Sequence, residues 1–237
     1  MSELYGIDIS TAQGEIDWDA LATNKDLSFV IIRASQGLAQ DSRFAKNIEE
    51  CQRVGLPFGL YFAASASTET GVAAEADFAS NYCKKYKPQY GAWYDMELKH
   101  QRELGKDMIT KLLKLWLDTV KETGVRCGIY TNKDWLDNRI DISKLDGYDL
   151  WYAAYPSITT KKITDGRKDN RSKLSYPQAV IWQWSSKGSV EGISGNVDLN
   201  ICYEKFQKEQ KPISLGYIAL EEVKKLVKEM GYEGIVL

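Results

Sequence analysis

Short apolar runs alternate with amphipathic stretches along most of the chain. The apolar runs have the length of buried strands and predict seven of them, at Tyr5–Ile9, Phe29–Ala34, Pro57–Ala63, Ala92–Met96, Arg126–Tyr130, Leu150–Ala154 and Ala179–Trp184. The stretches between them predict helices at Trp18–Ala22, Arg43–Val54, Thr70–Tyr86, Lys106–Thr123 and Lys133–Asn138. This alternation is typical of parallel strands that are covered by helices.

The helix at Lys106–Thr123 has the clearest pattern, because its apolar residues recur at helical spacing and form one stripe: Ile109, Leu112, Leu113, Trp116, Leu117 and Val120. We predict an α/β fold, an irregular β/α barrel of the TIM type, since helical patterns become sparse after residue 140. A doubly wound open sheet is the alternative. The first strand argues against it, because neither GxGxxG nor a P-loop follows that strand.

The chain changes character near residue 211. Residues 1–210 are predicted to form the barrel, and Pro212–Gly216 has the composition of a linker. Ala219–Met230 is a short amphipathic helix, which forms either a terminal helix docked on the barrel or the start of a second, truncated module. At the other end, Met1–Tyr5 has neither a basic start nor an apolar run, so no signal peptide is predicted.

Charge and composition narrow the function classes. The 31 basic and 33 acidic residues are spread along the chain and give a net charge of −2, so neither nucleic acid nor a membrane is a predicted partner. Seven Trp and 14 Tyr stand against six Phe, an excess of rings with a polar edge. Sugar-binding clefts favour such rings, although filling a barrel core is an equally open interpretation.

Cysteine and histidine give no sign of metal or nucleophile chemistry. The four cysteines are far apart in the sequence, without a CxxC pair, and are predicted to be buried free thiols. The lone histidine, His100, lies in a polar stretch and is predicted to be a surface residue. A single histidine without a nearby serine or cysteine nucleophile motif argues against a catalytic triad. No cofactor and no metal site are predicted.

Two carboxylates follow the fourth predicted strand. Asp95 and Glu97 are two residues apart, so both side chains point into one cavity while Met96 points away. Two acids at such a distance repel each other, which favours one protonated and one ionised carboxyl group. Glycosidic cleavage needs this pair, because one group donates a proton to the leaving oxygen and the other faces the developing positive charge.

Two more acids are predicted to join this pair. Asp8 ends the first strand, and Asp198 lies between apolar neighbours near the end of the barrel sequence. Barrel closure brings the first and last strands together, so Asp8 and Asp198 are expected to face Asp95 and Glu97 across one mouth. Four acids could also bind a divalent cation, and a metal-dependent hydrolase is therefore a chemical rival.

From Tyr5 to Tyr203 the chain resembles the lysozymes of glycoside hydrolase family 25, which occur in bacteria, fungi and phages. Five segments carry the resemblance in the family's order: Gly6–Ser10 with Gln13–Gly14 and Ile16–Trp18; Phe29–Ser35 with Asp41 and Phe44; Tyr94–Glu97; Gly128–Thr131; and Ile181–Trp184 followed by Val197–Asn200. The chain departs from the family in the third strand, where Phe62 follows Tyr61 and many members have a histidine. Met96 replaces the commoner valine or isoleucine between the two acids.

The resemblance implies an irregular β/α barrel that cleaves the β-1,4 bond between N-acetylmuramic acid and N-acetylglucosamine in bacterial peptidoglycan. Glu97 would be the general acid, Asp95 would stabilise positive charge or the substrate's acetamido group, and Asp8 and Asp198 would complete an acidic floor. The candidate sugar contacts are four rings for which core packing competes: Tyr61, Tyr130, Trp182 and Trp184.

The resemblance leaves other points open. The residue spacing does not decide between a retaining, an inverting and a substrate-assisted mechanism, and a non-catalytic glycan-binding relative is the alternative function. The place of action would be the cell wall, reached from the host cytoplasm by a phage endolysin or from outside the cell by a secreted enzyme. The C-terminal helix would then begin a truncated wall-binding module.

Overall fold

The computed structural model describes residues 3–156, 162–168 and 174–204. Within these ranges the chain forms nine strands: β1 (Leu4–Ile9), β2 (Leu27–Gln36), β3 (Ala39–Gln40), β4 (Phe58–Ala63), β5 (Ala92–Asp95), β6 (Cys127–Asn132), β7 (Asp149–Ala153), β8 (Ile181–Gly188) and β9 (Val197–Cys202). The helices in the described ranges are α1 (Trp18–Ala22), α2 (Phe44–Arg53), α3 (Glu69–Tyr86), α4 (Lys106–Lys121) and α5 (Lys133–Asn138), together with short 3₁₀ turns.

Eight of the strands close into a barrel. Neighbours around it run β1, β9, β8, β7, β6, β5, β4 and β2, and a parallel pairing of β1 with β2 completes the ring. Only β9 runs antiparallel to its neighbours β1 and β8, while the two-residue β3 pairs with the end of β2. The closed ring confirms the predicted irregular β/α barrel and excludes the doubly wound open sheet.

The barrel has two separate apolar layers because strand side chains alternate between its faces. The inner layer is rich in aromatic rings and holds Phe29, Trp93 and Trp151. The outer layer lies between strands and helices and is larger. The stripe predicted on α4 belongs to it, with six side chains that are at most 1% exposed: Ile109, Leu112, Leu113, Trp116, Leu117 and Val120.

The predicted element order agrees with the structure for all seven strands and all five helices, with ends that differ by a few residues. Two strands were missed. The short β3 is a two-residue pairing without a pattern of its own, but β9 has a clear one, because Val197–Cys202 alternates apolar and polar residues. The four cysteines are free and buried, as predicted.

The described residues all belong to one compact unit, Met1–Phe206. The predicted linker and amphipathic helix after residue 211 lie outside the described residues, so these stay predictions. Within the described ranges, no helix combines the length and apolar character that crossing a membrane would require.

Candidate active site

Strand register brings the acids to one end of the barrel. Asp95 is the last residue of β5, where it pairs with Tyr130 of β6, and Asp8 lies one residue before the end of β1. Asp198 lies opposite Asp8, because β9 runs antiparallel to β1 and begins where β1 ends. The charge of Asp95 interacts with those of Glu97 and Asp8, so the four predicted acids form one cluster.

Asp95 and Glu97 differ in their access to solvent. Asp95 is half-buried, and its Oδ1 has no hydrogen-bond partner among the described residues, whereas Glu97 is exposed. Met96 points away from both into the outer layer and is 1% exposed, as the alternation predicted. The two acids therefore lie at different depths at the end of the barrel.

The electrostatics raise both pKa values. Burial is the main cause that lifts the pKa of Asp95 well above its ordinary value; the charges of Glu97 and Asp8 add to it, and Arg33 opposes it. Burial also raises the pKa of Glu97, against smaller effects of Arg102 and a hydrogen bond with Asn132. Both directions favour a proton on this pair, and the two acids titrate together rather than independently. The assignment of that proton to Glu97 stays a prediction.

The loop that carries Glu97 is tied to its surroundings by buried polar contacts. Gln101 is fully buried; its Oε1 accepts a hydrogen bond from the Leu98 N–H at 2.8 Å, and its Nε2 donates to the Ala66 carbonyl at 2.9 Å. Asn132 Oδ1 caps α5 by accepting from the Trp135 N–H, which leaves the amide nitrogen of Asn132 for Glu97. These contacts fix the direction of Glu97.

The β5 strand is anchored from its outer face. The Tyr94 ring stacks on Trp116 of α4 with centroids 4.6 Å apart, and its hydroxyl donates to Glu75 at 2.6 Å. Glu75 also accepts the backbone N–H groups of Ser65 and Ala66. A buried carboxylate with three donors couples α3, the loop after β4 and β5, so Asp95 projects from a rigid strand end.

A cation, Arg33, lies in the barrel interior close to the acids. Arg33 points inward from β2, and its Nε donates to Asp41 Oδ2 at 2.7 Å. Asp41 is buried and also accepts the backbone N–H groups of Thr11 and Arg43. Because Asp41 holds the guanidinium in place, Arg33 is a fixed positive charge that lowers the pKa of Asp95.

A second polar network surrounds Asp8. The amide nitrogens of Gln183 and Asn200 both donate to Asp8 Oδ2, at 2.9 and 2.8 Å. Burial raises the pKa of Asp8, and these two donors and Asp198 lower it. Burial and the charge of Asp8 raise the pKa of Asp198 to about 8. The two aspartates of the acidic floor therefore influence each other's pKa and titrate as a pair.

The four predicted sugar contacts separate into two groups. Tyr61 and Tyr130 lie inside the barrel and are half-buried beside the acids, and Tyr130 donates to Gln183. Trp182 and Trp184 point to the outer layer and are each 1% exposed, so neither ring face is open for a sugar. These two tryptophans pack in the core, which was the alternative interpretation. The prediction that they contact the sugar directly is wrong.

A cavity of about 430 Å³ lies at the ends of β6 and β7. Its lining includes Asn132, Ala154 and Tyr155, and it reaches the edge of Trp182. Tyr155 is 54% exposed and donates its hydroxyl hydrogen bond to Gln183 at 2.6 Å, which joins the cavity to the acidic cluster. An exposed aromatic ring beside carboxylates is suited to contact with a sugar.

Sequence reasoning missed the polar residues that support the acids. Five of these had no assigned role although their side chains fix the site: Arg33, Gln101, Asn132, Gln183 and Asn200. Three of them, Arg33, Gln183 and Asn200, lie between apolar neighbours, a signal that could have identified them. Within the described ranges, no group of three or more His, Cys, Asp and Glu side chains has an arrangement that could hold a metal ion.

Comparison with known proteins places these observations in a family. The model described as glycosyl hydrolases family 25 matches residues 7–193. Lysozyme M1 of Streptomyces globisporus is 25% identical over 209 residues, which are 84% of this chain and 67% of that protein. The autolytic lysozyme of Clostridium acetobutylicum is 26% identical over 198 residues, which are 83% of this chain and 55% of that protein.

Solved structures agree with the fold. The modular autolysin LytC from Streptococcus pneumoniae superposes with a TM-score of 0.71 at 26% identity, over 85% of this chain and 47% of that chain. This chain thus spans about half the length of the autolysin. The catalytic domain of endolysin ply40 from bacteriophage P40 of Listeria monocytogenes has a TM-score of 0.65 at 24% identity. Since the family model covers most of the barrel, the chain belongs to family 25 of the glycosyl hydrolases.

Proposed function

We propose that this protein hydrolyses the β-1,4 bond between N-acetylmuramic acid and N-acetylglucosamine in bacterial peptidoglycan. Membership of a glycosyl hydrolase family gives the reaction class, hydrolysis of a glycosidic bond. The observation that supports the proposal most is the coupled pair formed by exposed Glu97 and half-buried Asp95 at one end of the barrel. The substrate class follows from relatives that are named lysozymes and from the structure of LytC with a synthetic peptidoglycan ligand.

Glu97 is the proton donor in this proposal. Glu97 is an exposed residue, and its position at the open end of the barrel lets a glycosidic oxygen approach it. Its raised pKa keeps a proton available closer to neutral pH than an ordinary glutamate would. The Asn132 amide and the loop held by Gln101 keep the carboxyl group in place during proton transfer.

Asp95 orients the substrate or stabilises positive charge. Its Oδ1 is buried and has no hydrogen-bond partner among the described residues, and in this proposal the N–H of the acetamido group next to the scissile bond supplies that partner. That contact supports attack by the acetamido oxygen on the anomeric carbon, with an oxazoline intermediate that water then opens. Trapping of a glycosyl ester on Asp95 would contradict this role, and isolation of the oxazoline would support it.

The remaining acids and rings complete the cleft. Asp8 and Asp198 form its acidic floor, and Tyr61 and Tyr130 contact the sugar from the barrel interior. The residues after 211 begin a wall-binding module in this proposal, on the basis of their sequence pattern. The place of action is the bacterial cell wall, and no cofactor takes part.

The test is digestion of Gram-positive cell walls, followed by turbidity and by mass spectrometry of the released fragments. The proposal expects muropeptides with muramic acid at the reducing end. Glu97→Gln should lower turnover by about 10²- to 10⁴-fold, because the amide keeps the shape and has no transferable proton. Asp95→Asn should lower it by about 10²-fold or more.

The matched control is Glu103→Gln, which changes an exposed glutamate six residues further along the same surface segment and should keep wild-type turnover. Fragments with N-acetylglucosamine at the reducing end would overturn the bond assignment. Binding to cell walls without any release of fragments by the wild type would identify the protein as a non-catalytic glycan-binding relative instead.

A further inference from the structure

Two buried amides hold Asp8 from the same side. Gln183 is 2% exposed and Asn200 is fully buried, and both point into the barrel. Gln183 Nε2 and Asn200 Nδ2 donate to one atom, Asp8 Oδ2, at 2.9 and 2.8 Å. Polar groups that are buried in a protein almost always have hydrogen-bond partners. The oxygen atoms of these two amides therefore need partners as well.

Those partners fix which way the amides point. Trp151 Nε1 donates to Asn200 Oδ1 at 2.8 Å. An indole nitrogen can only donate, so the atom it meets must be the amide oxygen, and the NH₂ group must face Asp8. Gln183 Oε1 accepts the hydroxyl groups of Tyr130 at 2.9 Å and Tyr155 at 2.6 Å, and its NH₂ group faces Asp8.

Asp8 Oδ2 therefore accepts two hydrogen bonds, and neither amide offers it an acceptor for a proton. Asp198 lies opposite Asp8 on the antiparallel strand β9 and is only half-buried. Because both donors stabilise the ionised form of Asp8, a proton between the two aspartates is favoured on Asp198. The direction of the pKa values agrees, since burial raises that of Asp8 while donation from Asn200 and Gln183 lowers it, and that of Asp198 is about 8.

We propose that Gln183 and Asn200 are positioning residues that keep Asp8 unprotonated and fixed in direction, and that leave the shared proton on Asp198. The catalytic consequence rests on the proposed function: the fixed charge of Asp8 faces Asp95 and favours a proton on the Asp95 and Glu97 pair. Trp151, Tyr130 and Tyr155 act through the two amides.

The first test needs no activity. The side-chain carboxyl carbons of Asp8 and Asp198 are followed by carbon-13 NMR as a function of pH and assigned with Asp8→Asn and Asp198→Asn. In Gln183→Met, the lower titration of the pair should move up by about one to two pH units, because a hydrogen bond to the charged form is lost. Asn47→Leu is the control, since it removes a buried amide on α2, outside the barrel interior.

The second test is the pH profile of cell-wall lysis. Gln183→Met should lower turnover by about 10- to 100-fold across the profile. Gln183→Glu keeps the shape and can donate to Asp8 only while the introduced carboxyl group is protonated. Its loss of activity should therefore be small at low pH and grow as the pH rises, which moves the alkaline limb to lower pH. A residue that only supported the fold would lower activity without this shift.

The outcomes separate the two proposals. A titration that does not move in Gln183→Met overturns the positioning role, whatever the activity. If that titration moves but the wild type releases no muramic acid reducing ends, the positioning role stands and the proposed function fails. If the titration moves in Gln183→Met but the pH profile of lysis by Gln183→Glu does not shift, the effect of Asp8 on catalysis is overturned. The positioning of Asp8 by the two amides then still stands.

Discussion

Asp198→Asn should stabilise the protein at alkaline pH at the expense of its activity. The wild-type carboxyl group is half-buried beside Asp8, and burial and the Asp8 charge raise its pKa from 3.8 to about 8. The folded state thus binds a proton that the unfolded state releases near pH 4. The stability that this proton contributes is complete below that pH and is lost as the pH rises through about 8.

The magnitude follows from linkage. Between these two pKa values each pH unit removes about 1.4 kcal/mol, so the step from about pH 5 to about pH 8 would remove at most about 4 kcal/mol. Solvent reaches half-buried Asp198 and screens part of this effect, which leaves about 2 kcal/mol. Asparagine carries no charge at either pH and still offers an N–H donor to Asp8, so the variant should not show this loss.

The assay is urea unfolding of wild type and variant at about pH 5 and about pH 8, with the free energy extrapolated to water. The difference between the two proteins should be small at the lower pH and about 2 kcal/mol in favour of Asp198→Asn at the higher pH. Asp77→Asn, at an exposed position on α3, is the control and should behave like wild type at both values. An equal difference at both pH values would refute the shared proton.

Three other changes test separate parts of the site. Arg33→Met removes the cation that lowers the pKa of Asp95, so the acid limb of the pH profile of lysis should move to higher pH, whereas Arg33→Lys should stay nearer to wild type. Trp184→Phe should cost about 1–3 kcal/mol of stability in urea and leave KM unchanged, and a raised KM at full stability would restore Trp184 as a sugar contact. Lysis should persist in excess chelator, and a loss that magnesium or zinc reverses would favour the metal-dependent rival.

Much of the fold followed from the sequence because strands and helices have different periods. Trp18–Ala22 and Lys133–Asn138 were predicted with their observed ends, and the α4 stripe is buried as its spacing required. The strand β9 was not predicted although Val197–Cys202 alternates apolar and polar residues, which is the pattern of a strand. Asp198 was interpreted only as an acid between apolar neighbours. Its antiparallel direction depends on barrel closure, which no local pattern encodes.

The acids were predictable, but their protonation was not. Asp8 and Asp95 stand at strand ends, where the sequence shows them plainly. Which of them carries a proton depends on depth, on the distance to Arg33 and on the direction of two amides contributed by strands far along the chain. These are tertiary quantities, so the sequence supports a proton on Glu97 only through the general argument that two neighbouring acids repel each other.

The error at Trp182 and Trp184 has a physical cause that applies to any barrel strand. Aromatic rings suggested sugar contacts, but residues two apart share a face, and on β8 the tryptophans take the outer face while Gln183 between them takes the inner one. A single polar residue between two large apolar ones indicates which face of the strand points to other polar groups. A buried amide needs hydrogen-bond partners, and the apolar outer layer does not supply them. By the same rule Asn200, between Leu199 and Ile201, points into the barrel, where it donates to Asp8. On β8 and β9 the amides therefore indicate the position of the site better than the large apolar side chains beside them.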